Sequence, residues 1–151
     1  MRAVIQRVTQ AEVRLDGAAT ASIGCGLLVL VGVAVGDTEA DAAALGAKVA
    51  ALRIFTDPDG KMNLSVGDAG GSVIVVSQFT LLADLKRGRR PSFTAAEDPA
   101  AASRLVDAVA TAIASAGIPV QSGRFGAHME VDLVNDGPVT LVIEVVDGAV
   151  R

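Results

Sequence analysis

The 151-residue chain is poor in the side chains that usually carry catalysis: one histidine, His128, one cysteine, Cys25, and no tyrosine or tryptophan. That inventory excludes a three-histidine zinc site, a multi-cysteine metal site and an internal disulfide, and leaves only His128 for any Ser-His-Asp triad. His128 opens a strand-like run and reads as an exposed or capping residue. Hydrolytic chemistry here would therefore rest on backbone donors, hydroxyls, oriented water or groups of the substrate itself. Two segments have the residues for it. In Ser77-Gln78-Phe79-Thr80-Leu81, which closes the apolar run Val73 to Val76, Thr80 stands where a strand gives way to a loop, a place where open α/β sheets hold ligands. A plain strand cap is the other reading of Thr80, strand termination that of Ser77 and Gln78, and core filling that of Phe79.

The second segment, Asn135-Asp136-Gly137-Pro138-Val139-Thr140, puts a Gly-Pro pair between two strand-like runs. Pro138 fixes φ and gives no N–H, an X-Pro bond reaches the cis form at low cost, and Gly137 leaves its own carbonyl open to close approach. A third feature is the basic cluster Lys86, Arg87, Arg89 and Arg90 around Gly88, which is either a solvated loop or a local phosphate contact. The net charge of -4 argues against nonspecific attraction to nucleic acid, so an RNA contact would have to be local.

Elements that could hold these residues follow from periodicity and turn chemistry. Arg2 to Val8, Ala11 to Leu15 and Ala18 to Ile23 read as short strands, with Asp16-Gly17 a hairpin turn, and Leu27 to Val35 as a buried strand. Asp37 or Thr38 caps a helix through Glu39 to Leu52, with Leu45, Val49 and Leu52 on one face. Arg53 to Phe55 is extended, Asp57 to Gly60 and Gly70-Gly71 are turns, and Met62 and Leu64 are expected anchors between them. Val73 to Phe79 reads as a central strand. Asp98-Pro99 opens a second helix that Gly117 and Pro119 close, with Leu105, Val109, Ala112 and Ile113 inward. Met129 to Val134 and Thr140 to Val146 would form a final hairpin around Gly137-Pro138. Cys25, between Gly24 and Gly26, is expected to be a small buried residue.

This order predicts an α/β fold: one compact domain over residues 1–151, with a mixed, mostly antiparallel, barrel-like sheet and two main helices. With 51% hydrophobic and 3% aromatic residues, the core must be aliphatic. The longest apolar stretch, Leu27 to Val35, is too short for a membrane span and misplaced for a signal peptide, which predicts a cytoplasmic protein without a membrane partner.

The segments Ser77 to Leu81 and Asn135 to Thr140, with the opening Met1 to Val8 and with Arg90-Pro91-Ser92-Phe93, occur in an order that resembles the D-aminoacyl-tRNA deacylases, from Arg2 to Val145. The resemblance implies a two-fold homodimer with the active site at the interface, acting on the acceptor end of D-aminoacyl-tRNA, without metal or organic cofactor and without DNA as partner. It puts Ser77, Gln78, Phe79 and Thr80 beside the scissile ester, and a cis Gly137-Pro138 in the partner's site as the chiral selector. Achiral glycine would then be an ambiguous substrate. Met129, whose strand leads directly into Asn135 to Thr140, is read as part of the pocket wall, with ordinary core packing as its other reading. Arg7 braces the Gly-Pro element or is a solvent-facing strand arginine, Asn135 fixes the turn, and Lys86, Arg87, Arg89 and Arg90 meet tRNA.

Overall fold

The structure, a computed structural model, describes residues 1–86 and 88–151. β1 (Arg2–Leu15) turns at Asp16 and Gly17, both at positive φ, the geometry of the tight turns that match strand twist, into β2 (Ala18–Ile23). β3 (Gly26–Gly32) follows. α1 (Glu39–Ala51) starts at Thr38, whose hydroxyl accepts from Asp41 N while the Asp41 carboxylate accepts from Thr38 N, a reciprocal capping box. Asp37, the other expected cap, instead accepts from Ala34 N and the Met1 amine. A minor pair, β4 (Phe55–Thr56) and β5 (Met62–Leu64), precedes β6 (Ser72–Ser77) and a 3₁₀ turn (Phe79–Leu82). α2 (Pro99–Ala114) begins with Asp98 as cap and proline at its first turn. β7 (Val120–Ser122), β8 (Glu130–Val146) and β9 (Ala149–Val150) complete the chain.

The main sheet runs β7-β6-β3-β1-β8-β9, with β2 also on β1. Pairings of β1 with β2, β3 and β8 and of β8 with β9 are antiparallel, whereas β6 lies parallel to β3 and β7. The result is the mixed, mostly antiparallel sheet expected, curled because β1 pairs with β3 over its first half and β2 over its second. Side-chain alternation then feeds two cores. Leu27, Val29 and Val31 of β3 join Val73 and Val75 of β6 under both helices. Leu28, Ile74 and Val76 point the other way and pack with Val8, Ala11 and Val13 inside the curl. The helices touch closely at Gly46, where a Cβ would meet the Ala112 Cβ at 2.5 Å, so only glycine fits.

Several expectations fail for reasons of register. The two strands read in Arg2 to Leu15 are one strand with an irregularity around Arg7 to Gln10. Gly137-Pro138 is not a hairpin turn: Val134 pairs with Gln10 and Thr140 with Gln6, so both flanks run along β1 in the same direction. Between Val8↔Asn135 and Gln6↔Thr140, Arg7 alone faces the stretch from Asp136 to Val139, which loops out of β8. β3 stops at Gly32 and β6 at Ser77, so Phe79 lies in the 3₁₀ turn rather than the strand. Cys25 sits in a bend and is exposed, and Met62 is exposed too, whereas its strand neighbours Phe55 and Leu64 pack on the core. Among the described residues no helix is long and apolar enough to cross a membrane.

At the far end of the sheet Asp41 is buried, and its carboxylate accepts from Gly148 N (2.8 Å), Thr38 N (2.8 Å) and the Thr38 hydroxyl (2.7 Å). The Gly148 N–H is the main cause holding this carboxyl below the usual aspartate range, reinforced by the two Thr38 groups against the opposing effect of burial.

Candidate functional site

β6 delivers Ser77 and Gln78 to the edge of the helix-covered core and then stops. Gln78 N makes the last ladder bond, to Val31 O (2.7 Å), and the chain tightens into the 3₁₀ turn, with Leu81 N on Gln78 O (3.2 Å) and Ala83 N on Thr80 O (3.2 Å). The turn seats against Gly32, where a Cβ would come within 3.0 Å of Gln78 O. Arg2 Nη1 donates to Leu81 O (2.8 Å) and fastens the turn to β1. Being first in the turn, the Phe79 and Thr80 amides have no preceding helical carbonyl to bond, so they are available donors. Thr80 is exposed, and its Oγ1 accepts from the Gln78 side-chain amide, which leaves the hydroxyl hydrogen free for another acceptor.

Phe79 is 57% exposed and packs edge-to-face on Phe93, with ring centroids 4.9 Å apart and planes at 72°. It is therefore not core filling. Beside it opens a cavity of about 390 Å³ lined by Ser77, Gln78, Phe79, Phe93, Glu97 and Phe125 together with aliphatic residues in and just after β3 and in and just before α2. Three of the four phenylalanines in the chain meet here, and the fourth, Phe55, is buried. On the other side of the same Ser77-Gln78-Phe79 wall, a cavity of about 230 Å³ is closed by Met129, His128 and Val131. Met129 is thus both pocket wall and neighbour of the inner core, and its Sδ accepts from Arg124 N (3.3 Å). His128 is exposed at the rim.

The basic loop rises directly after the turn. Asp84 and Ser92 exchange backbone bonds of 2.8 and 3.0 Å, closing its base, and Lys86 N donates to the Asp84 carboxylate (2.9 Å). Lys86, Arg89 and Arg90 are exposed, while Arg87 lies outside the described residues. Lys86, Arg89 and Arg90 therefore lie on the loop that the Asp84–Ser92 pair closes, and Phe93, next after Ser92, lines the larger cavity.

Gly137 and Pro138 do not come to this site within one chain. None of residues 135–140 lines either cavity, and β8 lies three strands from β6 in the sheet, about 14 Å at ordinary strand spacing. The loop is nonetheless firmly built. Its Gly137-Pro138 bond is cis, Gly137 has φ +128°, and both residues are exposed. Buried Arg7 donates through Nε to Asp136 O (3.2 Å), pairs with the Asp136 carboxylate (3.0 Å), and reaches Ile54 O through Nη1 (2.5 Å). Its alternative as a solvent-facing strand arginine is excluded. The Asn135 amide donates to Arg7 O (2.9 Å) and Val139 O (3.0 Å), tying both ends of the loop together, and Val139 is buried in the core.

Phe93, Phe125 and Glu97 were not singled out as pocket residues from sequence. The available signal was the scarcity of aromatics, since a phenylalanine outside every apolar-periodic segment has no core to fill. Among the described residues no three His, Cys, Asp or Glu side chains stand close enough to hold a metal ion.

Residues 4–144 match the family described as D-Tyr-tRNA(Tyr) deacylase. A D-aminoacyl-tRNA deacylase of Chloroflexus aurantiacus is 58% identical over 144 residues, covering 95% of this chain and 90% of that protein. The protein of that name from Deinococcus radiodurans is 54% identical over 145 residues, covering 96% and 100%. Among solved structures, a c-Myc DNA unwinding element binding protein superposes with a TM-score of 0.88 at 35% identity, covering 95% of this chain and 98% of that one. A probable eukaryotic D-amino acid tRNA deacylase superposes at 0.79 with 18% identity over 93% and 97%, a likeness of fold.

Proposed function

Because this chain belongs to the D-Tyr-tRNA(Tyr) deacylase family, we propose that it hydrolyses the ester joining a D-amino acid to the 3′ end of tRNA. The family match over residues 4–144 carries this reading. Water adds to the ester carbonyl carbon, the bond to the ribose 3′ oxygen breaks, and free tRNA and D-amino acid leave. Residues 1–151 act as one domain, in the cytoplasm, with the acceptor end of tRNA as substrate partner and neither a membrane nor DNA involved. The chain's own groups suffice for the chemistry in this reading, with no cofactor.

At the ester, the Phe79 and Thr80 amides and the Thr80 hydroxyl polarise the carbonyl, and the 2′-hydroxyl of the terminal adenosine positions or activates the water. The Gln78 bond to Thr80 Oγ1 supports a donor role, because it occupies a lone pair of that oxygen and leaves the hydrogen directed elsewhere. A nucleophilic threonine would need a base, and nothing in the turn offers one. Ser77 and Met129 shape the walls, while the aromatic cavity suits a flat ring by stacking. Lys86, Arg87, Arg89 and Arg90 meet backbone phosphates.

Stereochemical selection falls to Gly137-Pro138. Its distance from the cavities of its own chain supports a homodimer in which each loop enters the partner's site. Two mirror-image esters carry the same groups, so discrimination requires a fixed surface that clashes with one of them. The loop's carbonyls take the substrate ammonium and leave no space for an L side chain, with Arg7 and Asn135 holding them in place. Glycine, lacking a side chain to exclude, is also deacylated.

The test is hydrolysis of D-tyrosyl-tRNA and L-tyrosyl-tRNA by purified protein in the presence of a chelator. Rapid loss of the D ester alone is expected. Loss of both would mark a general esterase, and protection of both would mark a binding module.

A further inference from the structure

Glu97 is the single charged side chain among the described residues lining the aromatic cavity. Its backbone is fixed, with Glu97 N on Val33 O (3.0 Å) and the neighbouring Val35 N on Ala95 O (3.0 Å). The carboxylate is fixed as well: Oε1 accepts from Asp98 N (2.8 Å) and Oε2 from Gly36 N (3.1 Å). It stands just before the N-terminus of α2, where the helix dipole favours negative charge. Among the described residues no Lys or Arg pairs with it. A carboxylate offers about four acceptor positions, and the two backbone N–H groups use half of them. What remains is a pre-oriented acceptor of negative charge in a wall that is otherwise aromatic and aliphatic, except for Ser77 and Gln78.

We propose that Glu97 is a specificity-determining residue, accepting a hydrogen bond from an N–H donor on the substrate group that fills the aromatic cavity and opposing an anionic group there. This rests on the deacylase reading and adds to it a chemical preference. With the α-ammonium taken by the Gly137-Pro138 carbonyls in that reading, the donors tested are the 6-amino group of the terminal adenine and the side-chain ammonium of a D-lysyl ester. A hydrogen bond to a charged acceptor, or the clash of a second carboxylate with Glu97, changes selectivity by about tenfold or more.

Glu97→Gln keeps the volume and one acceptor oxygen and removes the charge; Glu97→Ala removes both. Each variant is first compared with wild type by melting temperature, then assayed on D-tyrosyl-, D-lysyl- and D-aspartyl-tRNA, and on D-tyrosyl-tRNA ending in purine riboside, which lacks the 6-amino group. If the amino-acid side chain occupies the cavity, both variants lower the D-Lys to D-Asp ratio of kcat/KM by about tenfold. If the nucleobase does, wild type loses about tenfold on purine riboside and Glu97→Ala no longer distinguishes the two ends. Unchanged ratios in both comparisons overturn the proposal and leave Glu97 as a cap for the Gly36 and Asp98 amides. Should wild type hydrolyse no ester, the deacylase reading fails separately. Calorimetric binding of adenosine and purine riboside, and of lysinamide and aspartate amide, to wild type and Glu97→Ala then decides the donor preference alone: equal changes in affinity for both members of each pair overturn it.

Discussion

The loop carrying Gly137-Pro138 and the turn carrying Phe79-Thr80 are both exposed, and they are held in opposite ways. The loop is pinned from inside: Arg7 is buried beneath it, Asn135 bonds across its base, and Val139 is part of the core. The turn is an outgrowth of a strand end, secured by Gln78 N on Val31 O, by Arg2 on Leu81 O and by close packing on Gly32. In the proposed mechanism rigidity is concentrated where a shape would have to be refused, because rejection of an L side chain works only if the surface cannot yield. At the turn, the same proposal gives several donors one task, so the loss of one would leave others in place.

The largest break in that contrast should come from Gly137→Ala. An added Cβ would lie 2.9 Å from Val139 N and 2.8 Å from Val139 Cγ2, at a φ of +128° that side chains rarely adopt. The loop must shift, and a displacement near 1 Å at a positioning element costs about 100-fold in rate. D-tyrosyl-tRNA hydrolysis should fall by that order while the far-ultraviolet circular dichroism stays as in wild type. Retention of both full D activity and L rejection would remove this loop from the selector role.

Thr80→Ala is the milder counterpart. It deletes one neutral donor and leaves the Phe79 and residue-80 amides, so kcat on D-tyrosyl-tRNA should drop about tenfold with KM and the D/L preference little changed. Complete loss of turnover, with an acyl-enzyme trapped on wild type by acid quench, would replace polarisation with covalent catalysis and make the turn as intolerant as the loop.

The same contrast accounts for what could be read before folding. Asp16-Gly17, the Thr38 cap and Asp98-Pro99 were legible because each acts over a few residues, where turn and cap chemistry depend on side-chain type alone. Gly137-Pro138 was legible as a special backbone, yet its place in an uninterrupted β8 was not, since only the register with β1 tells a hairpin from a looped-out insertion. Phe79 looked like strand because a β-prone aromatic follows the run so closely, although the polar Ser77-Gln78 pair ends the run and Gln78 N makes the last ladder bond. The aromatic cavity brings together residues 79, 93, 97 and 125 from separate elements, and no local pattern encodes that meeting. Cys25 was misread because small residues between glycines suit a buried strand start and an exposed bend equally.

Asp41 offers the smallest effect and the cleanest control. It lies beyond the C-terminal end of β8, joining Gly148 to the cap of α1, and touches neither loop nor turn. Its carboxyl is held below its ordinary value by the Gly148 N–H first and the Thr38 groups next. A depressed folded-state value means that the unfolded chain takes up the proton more readily, so the charged form adds stability at and above the unfolded value and loses it as pH falls through the folded one. Asp41→Asn should therefore melt below wild type at pH 7, by about 1 to 2 kcal/mol, with the gap narrowing steadily below about pH 4. At pH 7 and 25 °C its deacylation rate and D/L preference should match wild type. A selectivity change in Asp41→Asn comparable to that of Gly137→Ala would show that global loosening, rather than the pinned loop, controls stereochemistry. An unchanged preference in a less stable protein would assign the rigidity that matters to the contacts of Arg7 and Asn135.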